Sequence, residues 1–363
     1  MIQLKDEFPV LEGVTYLNTA SCGLLSKSLV NWRREHDSNL LDGGSLFRDL
    51  HKPHIESIRA NVASFFKASN NEIGLIPNFS FGFNTVLDGL PSNMKVLLLK
   101  SDYPSINWAV ENRNFDVCYA EIDENLEENV EAAIQKYKPD VLAFSVVQYI
   151  SGIQIDLTFV NKLKAYHPNL LVIGDGTQFL GTSLFNFSES GLDVLIGSCY
   201  KWMLAGYGNG VVMVKESAQE RISPRAIGFN SSDAVYVNRE AIPFIRRFEP
   251  GHLDTLSFGS LGKSIEILDQ IGMNVIVKKT TLLAGEAKNQ LEELDLLNDA
   301  VKKREGHSSI FNIRAHKGLF QKLKARNIIC SQRGNGIRVG FHYYNSLEDL
   351  RILTDVIKAN RYA

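Results

Sequence analysis

The chain has 363 residues, of which 44% are hydrophobic and 22% charged, so it is long enough for two units with sizeable cores and has the balance of a globular protein, not a disordered one. A formal charge of -2 offers no basic field for nucleic acid, and the acidic start together with the lack of a long apolar run argues against a signal peptide and a membrane span, which places the chain in the cytoplasm. Cysteines at 22, 118, 199 and 330 form neither a Cys-x-x-Cys pair nor a zinc spacing with histidine, so neither disulfides nor a metal are expected.

Taken in chain order, apolar runs alternate with amphipathic stretches in a βαβ pattern. Helices are predicted over 52–67, 82–90, 125–138 and 157–166, and strands over 95–99, 141–147, 170–175, 193–198 and 210–214. Beyond residue 272, helical patterns over 275–294 and 314–326 bracket short strands, and Ser346-Leu347-Glu348-Asp349 reads as a capping box for a last helix. The expected fold class is α/β. A large, mostly parallel sheet domain spans 21–271, a smaller α+β domain spans 272–363, and the segment 1–20 packs with the small domain. Gly206-Tyr207-Gly208-Asn209-Gly210 precedes a strand and does not open a helix, so it fails as a dinucleotide fingerprint on spacing and context.

Two strand ends carry a chemical idea. The run Leu170-Leu171-Val172-Ile173-Gly174 delivers Asp175, and Asp193-Val194-Leu195-Ile196-Gly197-Ser198 delivers Lys201 just past its own end. Ligands of open α/β sheets bind outside the carboxyl ends of the strands, so both residues are placed to face a bound molecule. An amine partly dried in such a crevice has a lowered pKa and becomes a nucleophile able to form a Schiff base with an aldehyde. An aspartate partner for a pyridinium nitrogen is the matching feature of pyridoxal phosphate sites, and Gln178 lies within reach of a ring hydroxyl. Singly, Asp175 reads as a helix cap and Lys201 as a surface lysine; together, among glycines at both turns, they read as a cofactor site.

These segments resemble the class V aminotransferase family of fold type I pyridoxal phosphate enzymes, which also holds cysteine desulfurases, selenocysteine lyases, kynureninases and isopenicillin N epimerase-like proteins. Further stretches carry the resemblance in order along nearly the whole chain. Tyr16-Leu17-Asn18-Thr19-Ala20-Ser21-Cys22-Gly23 is similar to the family's substrate loop, Ile76 to Asn84 to its phosphate turn, and Asp102-Tyr103-Pro104-Ser105 to the position of a ring-stacking aromatic. Arg247 to His252 resembles the segment that reaches a partner subunit's phosphate, although many members have threonine at the place of His252. Gly336 to Asn345 resembles the strand whose arginine, here Arg338, grips the substrate carboxylate.

The resemblance implies pyridoxal 5'-phosphate as cofactor, a small-molecule amino acid as substrate, and a homodimer with a shared active site. Lys201 and Asp175 are the implied catalytic residues. Phe79, Ser80, Tyr103, Asp175, Gln178, Ser198, Tyr200, Lys201 and His252 are the implied cofactor contacts, and Ala20, Ser21 and Arg338 the substrate contacts.

Plain physical readings stand beside these. Ser80 is a helix cap or part of an anion site at a helix amino terminus. Tyr103 is equally a core aromatic, and Arg338 within an apolar strand is either paired with an acid or waiting for a carboxylate. The leading expectation is an aminotransferase. The alternatives are a β-lyase or epimerase, which Tyr200 beside Lys201 keeps open, and a non-catalytic protein that keeps the fold. A cysteine desulfurase is disfavoured because Cys330 ends an apolar run and the loop after it is short. Loops 18–23, 42–54 and 225–240 are expected to wall the side-chain pocket, with Arg225 and Arg239 unassigned.

Overall fold

A computed structural model describes residues 4–232, 242–316 and 318–360. In chain order its strands are β1 (Thr15–Tyr16), β2 (Ile73–Ile76), β3 (Lys95–Leu99), β4 (Asp116–Ala120), β5 (Val141–Ser145) and β6 (Leu171–Asp175). There follow β7 (Val194–Ser198), β8 (Gly210–Val214), β9 (Ile310–Arg314), β10 (Ile328–Ile329), β11 (Ser331–Arg333) and β12 (Gly336–Gly340). Seven of them form one sheet in the order β2-β8-β7-β6-β5-β3-β4, parallel from β7 through β4, with β8 running antiparallel to both its neighbours. The fold is α/β, with a large mostly parallel sheet.

The strands read as unbroken apolar runs because both sheet faces are covered. Side chains alternate across the sheet: Leu97, Leu142, Val172, Leu195 and Val211 join one core cluster, whereas Val96, Val141, Leu171, Val194 and Val212 join the other. Helices His51–Phe66, Leu126–Tyr137, Leu157–Tyr166 and Thr255–Ile271 contribute to the first cluster, and Phe79–Asp88 and Pro104–Glu111 to the second. A three-stranded antiparallel sheet, β11-β12-β9, sits with helices Met273–Glu293 and Leu347–Ala359 in the C-terminal part. The amino-terminal chain reaches it, since β1 pairs with β10 and the Gly340 N–H donates to Leu17 O over 2.9 Å. Ser346 and Asp349 form the capping box of the last helix in both directions.

Sequence periodicity and structure part company at three places. The helix expected over 314–326 is only Leu319–Ala325, and Arg314 belongs to β9, which pairs with β12 through its whole length. Strand β5 ends at Ser145, where Asp102 takes the Ser145 N–H, although Val147 still bridges to Gln154. The edge strands β2 and β4 and the helices Lys27–Gly43 and Thr255–Ile271 were not anticipated. Strand β2 is short and runs into the Pro77 turn, and β4 shows the sheet a mixed polar edge.

One buried charge network ties helix His51–Phe66 to β2 and to the loop before His252. Arg59, 1% exposed, makes a bidentate pair with the fully buried Glu249 at 2.7 and 2.9 Å, and Glu249 also accepts the Leu75 N–H. Removing Arg59 leaves the Glu249 charge with only the longer 3.3 Å contact from Arg246 as a cationic partner, so Arg59→Met is expected to cost about 3 kcal/mol of stability, measured as a lower denaturant midpoint. Adding Glu249→Gln should return part of that loss; a double variant no more stable than Arg59→Met would show that lost packing, not stranded charge, sets the cost.

Candidate active site

The site lies where the parallel strands end. Asp175 is the last residue of β6 and Ser198 the last of β7, and the register Ser198–Gly210–Ile76 across β7, β8 and β2 brings the start of helix Phe79–Asp88 to the same edge. From this edge the chain delivers Lys201. Asp175 and Lys201 are 6% and 7% exposed, and each charge acts on the other. Burial pushes the Asp175 carboxyl up to about 7, although the Thr177 side chain and its N–H, at 2.8 Å, favour the ionised form. Burial also draws the Lys201 amine down to about 8 against the attraction of Asp175, helped by the like charges of Arg338 and Arg333. Lys201 Nζ stands 5.5 Å from the Tyr200 ring centre, and no carboxylate among the described residues forms an ion pair with it.

The loops around this amine are pinned by backbone. Gly23 N–H donates to Tyr200 O over 3.0 Å, and a Cβ on Gly23 would fall 2.1 Å from Lys201 O, so only glycine lets the two loops meet this closely. Asn209, fully buried, donates from its amide to Ala205, Gly206 and Ser257 carbonyls and fixes the return to β8. His342 stacks on Trp202 at 5.4 Å, donates from Nε2 to Trp202 O and accepts the Tyr343 N–H at Nδ1. Burial holds this imidazole neutral, down to about 4. It is a satisfied core histidine that clamps the Lys201 loop to the C-terminal part.

Around the amine stand the other predicted residues. Phe79 N–H donates to Ser198 Oγ over 2.9 Å, and the Ser80 hydroxyl donates to Ser105 Oγ, also at 2.9 Å. The helix cap is Asn78, whose side chain takes the Phe81 N–H, so Ser80 is not the cap and lies in the first turn, at the positive end of the helix dipole. Tyr103 opens helix Pro104–Glu111 and meets Tyr149 edge to face at 5.1 Å. Tyr200 stacks on Tyr207 at 4.6 Å.

Arg338, 3% exposed, comes in from β12: NH1 donates to Tyr149 O over 2.7 Å and NH2 to Ser21 Oγ over 2.6 Å, while its buried Nε has no partner. The arginine is therefore not paired with an acid among the described residues, and burial draws its pKa down to about 10. A buried guanidinium N–H left unpaired by the protein is suited to hold an anion.

Two predicted residues stand apart from the amine cluster. Gln178 accepts the Trp202 indole N–H at 2.7 Å and donates to Ala20 O over 2.9 Å, so it ties the amino-terminal loop to the Lys201 loop and retains one amide proton beyond these bonds. Ala20 contributes its carbonyl to that tie. His252 is exposed, stacked on Phe229 at 5.3 Å, and does not join the Lys201 cluster of this subunit. Of the third expected loop, residues 233–241, including Arg239, lie outside the described residues.

Two groups had not been singled out. Asp102, 4% exposed, holds the Tyr103 and Ser145 N–H groups at 2.7 Å each, and burial raises its pKa. Thr177 accepts the Ser198 N–H and so cross-links the Asp175 and Lys201 strand ends. Both are adjacent in sequence to residues that were singled out.

The donor set fits pyridoxal phosphate. It offers a dried amine for the aldehyde, a buried carboxylate for the ring nitrogen, and a helix amino terminus with two hydroxyls for the phosphate. Among the described residues no group of three His, Cys, Asp or Glu is arranged to hold a metal, and no helix is long and apolar enough to cross a membrane.

Comparison with known proteins agrees with this geometry. Residues 27–353 match the family described as aminotransferase class-V. An uncharacterized aminotransferase, YcbU, of Bacillus subtilis is 23% identical, with 98% of this chain and 97% of that protein covered. Among solved structures, the apo cysteine desulfurase of Thermococcus onnurineus NA1 superposes with a TM-score of 0.86 at 20% identity, covering 98% of this chain and 97% of that one. A mutant C-DES with glycine covalently linked to its PLP cofactor gives 0.84 at 18% identity, covering 97% and 98%. The chain belongs to the class V aminotransferase family, on the fold type I architecture.

Proposed function

We propose that this protein is a pyridoxal 5'-phosphate enzyme of aminotransferase type, acting on a small-molecule amino acid as a cytoplasmic homodimer. The observation that carries the reading is the Lys201 amine, buried, without an ion-pair partner among the described residues, and acted on by the charges of Asp175 and Arg338. When bound, the cofactor supplies an electron sink for the bond broken at the substrate's α-carbon. Lys201 would hold the cofactor through its aldehyde and would move the proton at the substrate's α-carbon; its lowered pKa makes the neutral, basic form accessible near neutral pH.

Asp175 holds the proton at the ring nitrogen, oriented by Thr177, while the first turn of helix Phe79–Asp88, with Ser80, Ser105 and Ser198, holds the phosphate. Tyr103, with its backbone N–H fixed by Asp102, would pack against the cofactor ring. Tyr200, its ring centre 5.5 Å from Lys201 Nζ and backed by Tyr207, covers the amine on one side. Arg338, its fork set by Tyr149 O and Ser21 Oγ, grips the α-carboxylate. His252 is the residue this reading sends to a neighbouring subunit's phosphate.

Desulfurase chemistry is disfavoured by Cys330. That residue is 9% exposed between β10 and β11, and burial pushes its thiol up to about 11, whereas a sulfur-accepting nucleophile needs an exposed, acidic thiol.

In the cofactor-loaded protein, single amino acids added without a keto acid should bleach the visible cofactor band stoichiometrically, and a keto acid should restore it. A band that persists while product accumulates would instead make the protein a β-lyase or epimerase. Lys201→Ala should abolish turnover; turnover at the wild-type rate would remove Lys201 from the reaction. Capture of pyridoxal phosphate by the apoprotein requires the neutral amine, so its rate should rise with pH and level off above about 8. A rise that continues past the ordinary lysine value of 10.5 would contradict the drying of this amine.

A further inference from the structure

The hairpin β11–β12 places a second arginine on the site. Residues directly opposite in an antiparallel pair carry their side chains on one face, and alternate residues of a strand share it. Ser331 is opposite Arg338 and Arg333 is opposite Gly336, so Ser331, Arg333 and Arg338 share a face, with the Asn312 side chain, opposite Arg338 on β9, filling the space beside Gly336 and donating to Arg333 O over 2.9 Å. That face is the site face: Arg338 donates to Ser21 Oγ over 2.6 Å, and Ser21 Oγ lies 3.5 Å from Ser331 Oγ.

Arg333 is exposed, its side chain donates to the carbonyl of its neighbour Gln332 over 3.0 Å, and no carboxylate among the described residues pairs with it. Its charge nevertheless reaches Lys201, Arg338 and Tyr149. With Arg338 engaged by the α-carboxylate and the phosphate held at the start of helix Phe79–Asp88, no acid among the described residues balances the charge of Arg333. Asp175, whose charge acts on the amine, and Asp102, whose charge acts on Asp175, are buried and already committed to Thr177, Tyr103 and Ser145 N–H groups.

We infer that Arg333 takes a second anionic group of the substrate, so that the preferred substrates are amino acids with a carboxylate side chain. The inference rests on the reading of Arg338 as the anchor of the α-carboxylate. A planar guanidinium at a partly exposed rim reads such a group bidentately and discriminates strongly against neutral side chains.

Calorimetric titration of the holoenzyme with succinate and butyrate, four-carbon acids with two carboxylates and one, tests the inference apart from turnover. Succinate should bind tighter by on the order of 10-fold, Arg333→Gln should erase that ratio, and Arg333→Lys should restore part of it. In turnover, kcat/KM for aspartate or glutamate should exceed that for alanine or norvaline, and the excess should vanish in Arg333→Gln. Equal affinity of the two acids for the wild type, no binding of either, or equal weakening of both in Arg333→Gln would overturn the inference; the last result would mean that Arg333 acts through Arg338. Arg338→Met checks the underlying anchor separately: butyrate binding should be lost, and its persistence would remove the anchor reading whatever the Arg333 ratio.

Discussion

Keeping one amine dry, near a carboxyl yet not locked to it, is the constraint on which the rest of this architecture depends. A lysine in contact with an acid would stay charged and inert, and one open to water would stay near its ordinary pKa. The sheet resolves this by geometry. Parallel strands packed on both faces all end at one edge, where Asp175 leaves β6 and Lys201 follows β7 from the neighbouring position. The carboxyl is turned to Thr177 and the amine remains without an ion pair. Gly23 allows the amino-terminal loop to close on the Lys201 backbone, and His342 and Trp202 close it from the C-terminal part. The same burial that makes folding favourable thus sets the chemistry of the amine.

The central elements were legible because their signals are local. Apolar runs of strand length ending in Asp175 and before Lys201, each bounded by glycine, fit strands covered on both faces, and Arg338 stands out as a charge in an apolar strand. The helix over 157–166 and the capping box at Ser346 were equally plain, since periodicity and caps lie within a few residues. The elements that escaped depend on distant partners. Strand β9 lies where short strands were expected between two helical patterns, but its end at Arg314 is set by pairing with β12 and not by its own residues. Edge strands β2 and β4 are short, and each gains its hydrogen bonds from one neighbour on the sheet.

Within the site the same distinction holds. Lys201, Asp175, Ser21 and Arg338 come together, but Gln178 is bound by Trp202 and Ala20, 24 and 158 residues away, which no spacing rule discloses. Asp102 and Thr177 matter through the backbone N–H groups they hold or bridge, a role that residue type alone does not announce. The Arg59–Glu249 pair joins positions 190 residues apart and fixes the loop that leads to His252. Cys330 is the instructive opposite case: its sequence neighbours already marked it as the end of a strand, and its burial agrees.

The most direct test of the central claim is chemical trapping. The holoprotein would be reduced with borohydride, digested, and the pyridoxyl-bearing peptide identified by mass spectrometry. The account predicts the group on Lys201 and on no other lysine. A pyridoxyl group on a different lysine, or a protein that binds the cofactor but cannot be trapped, would contradict it.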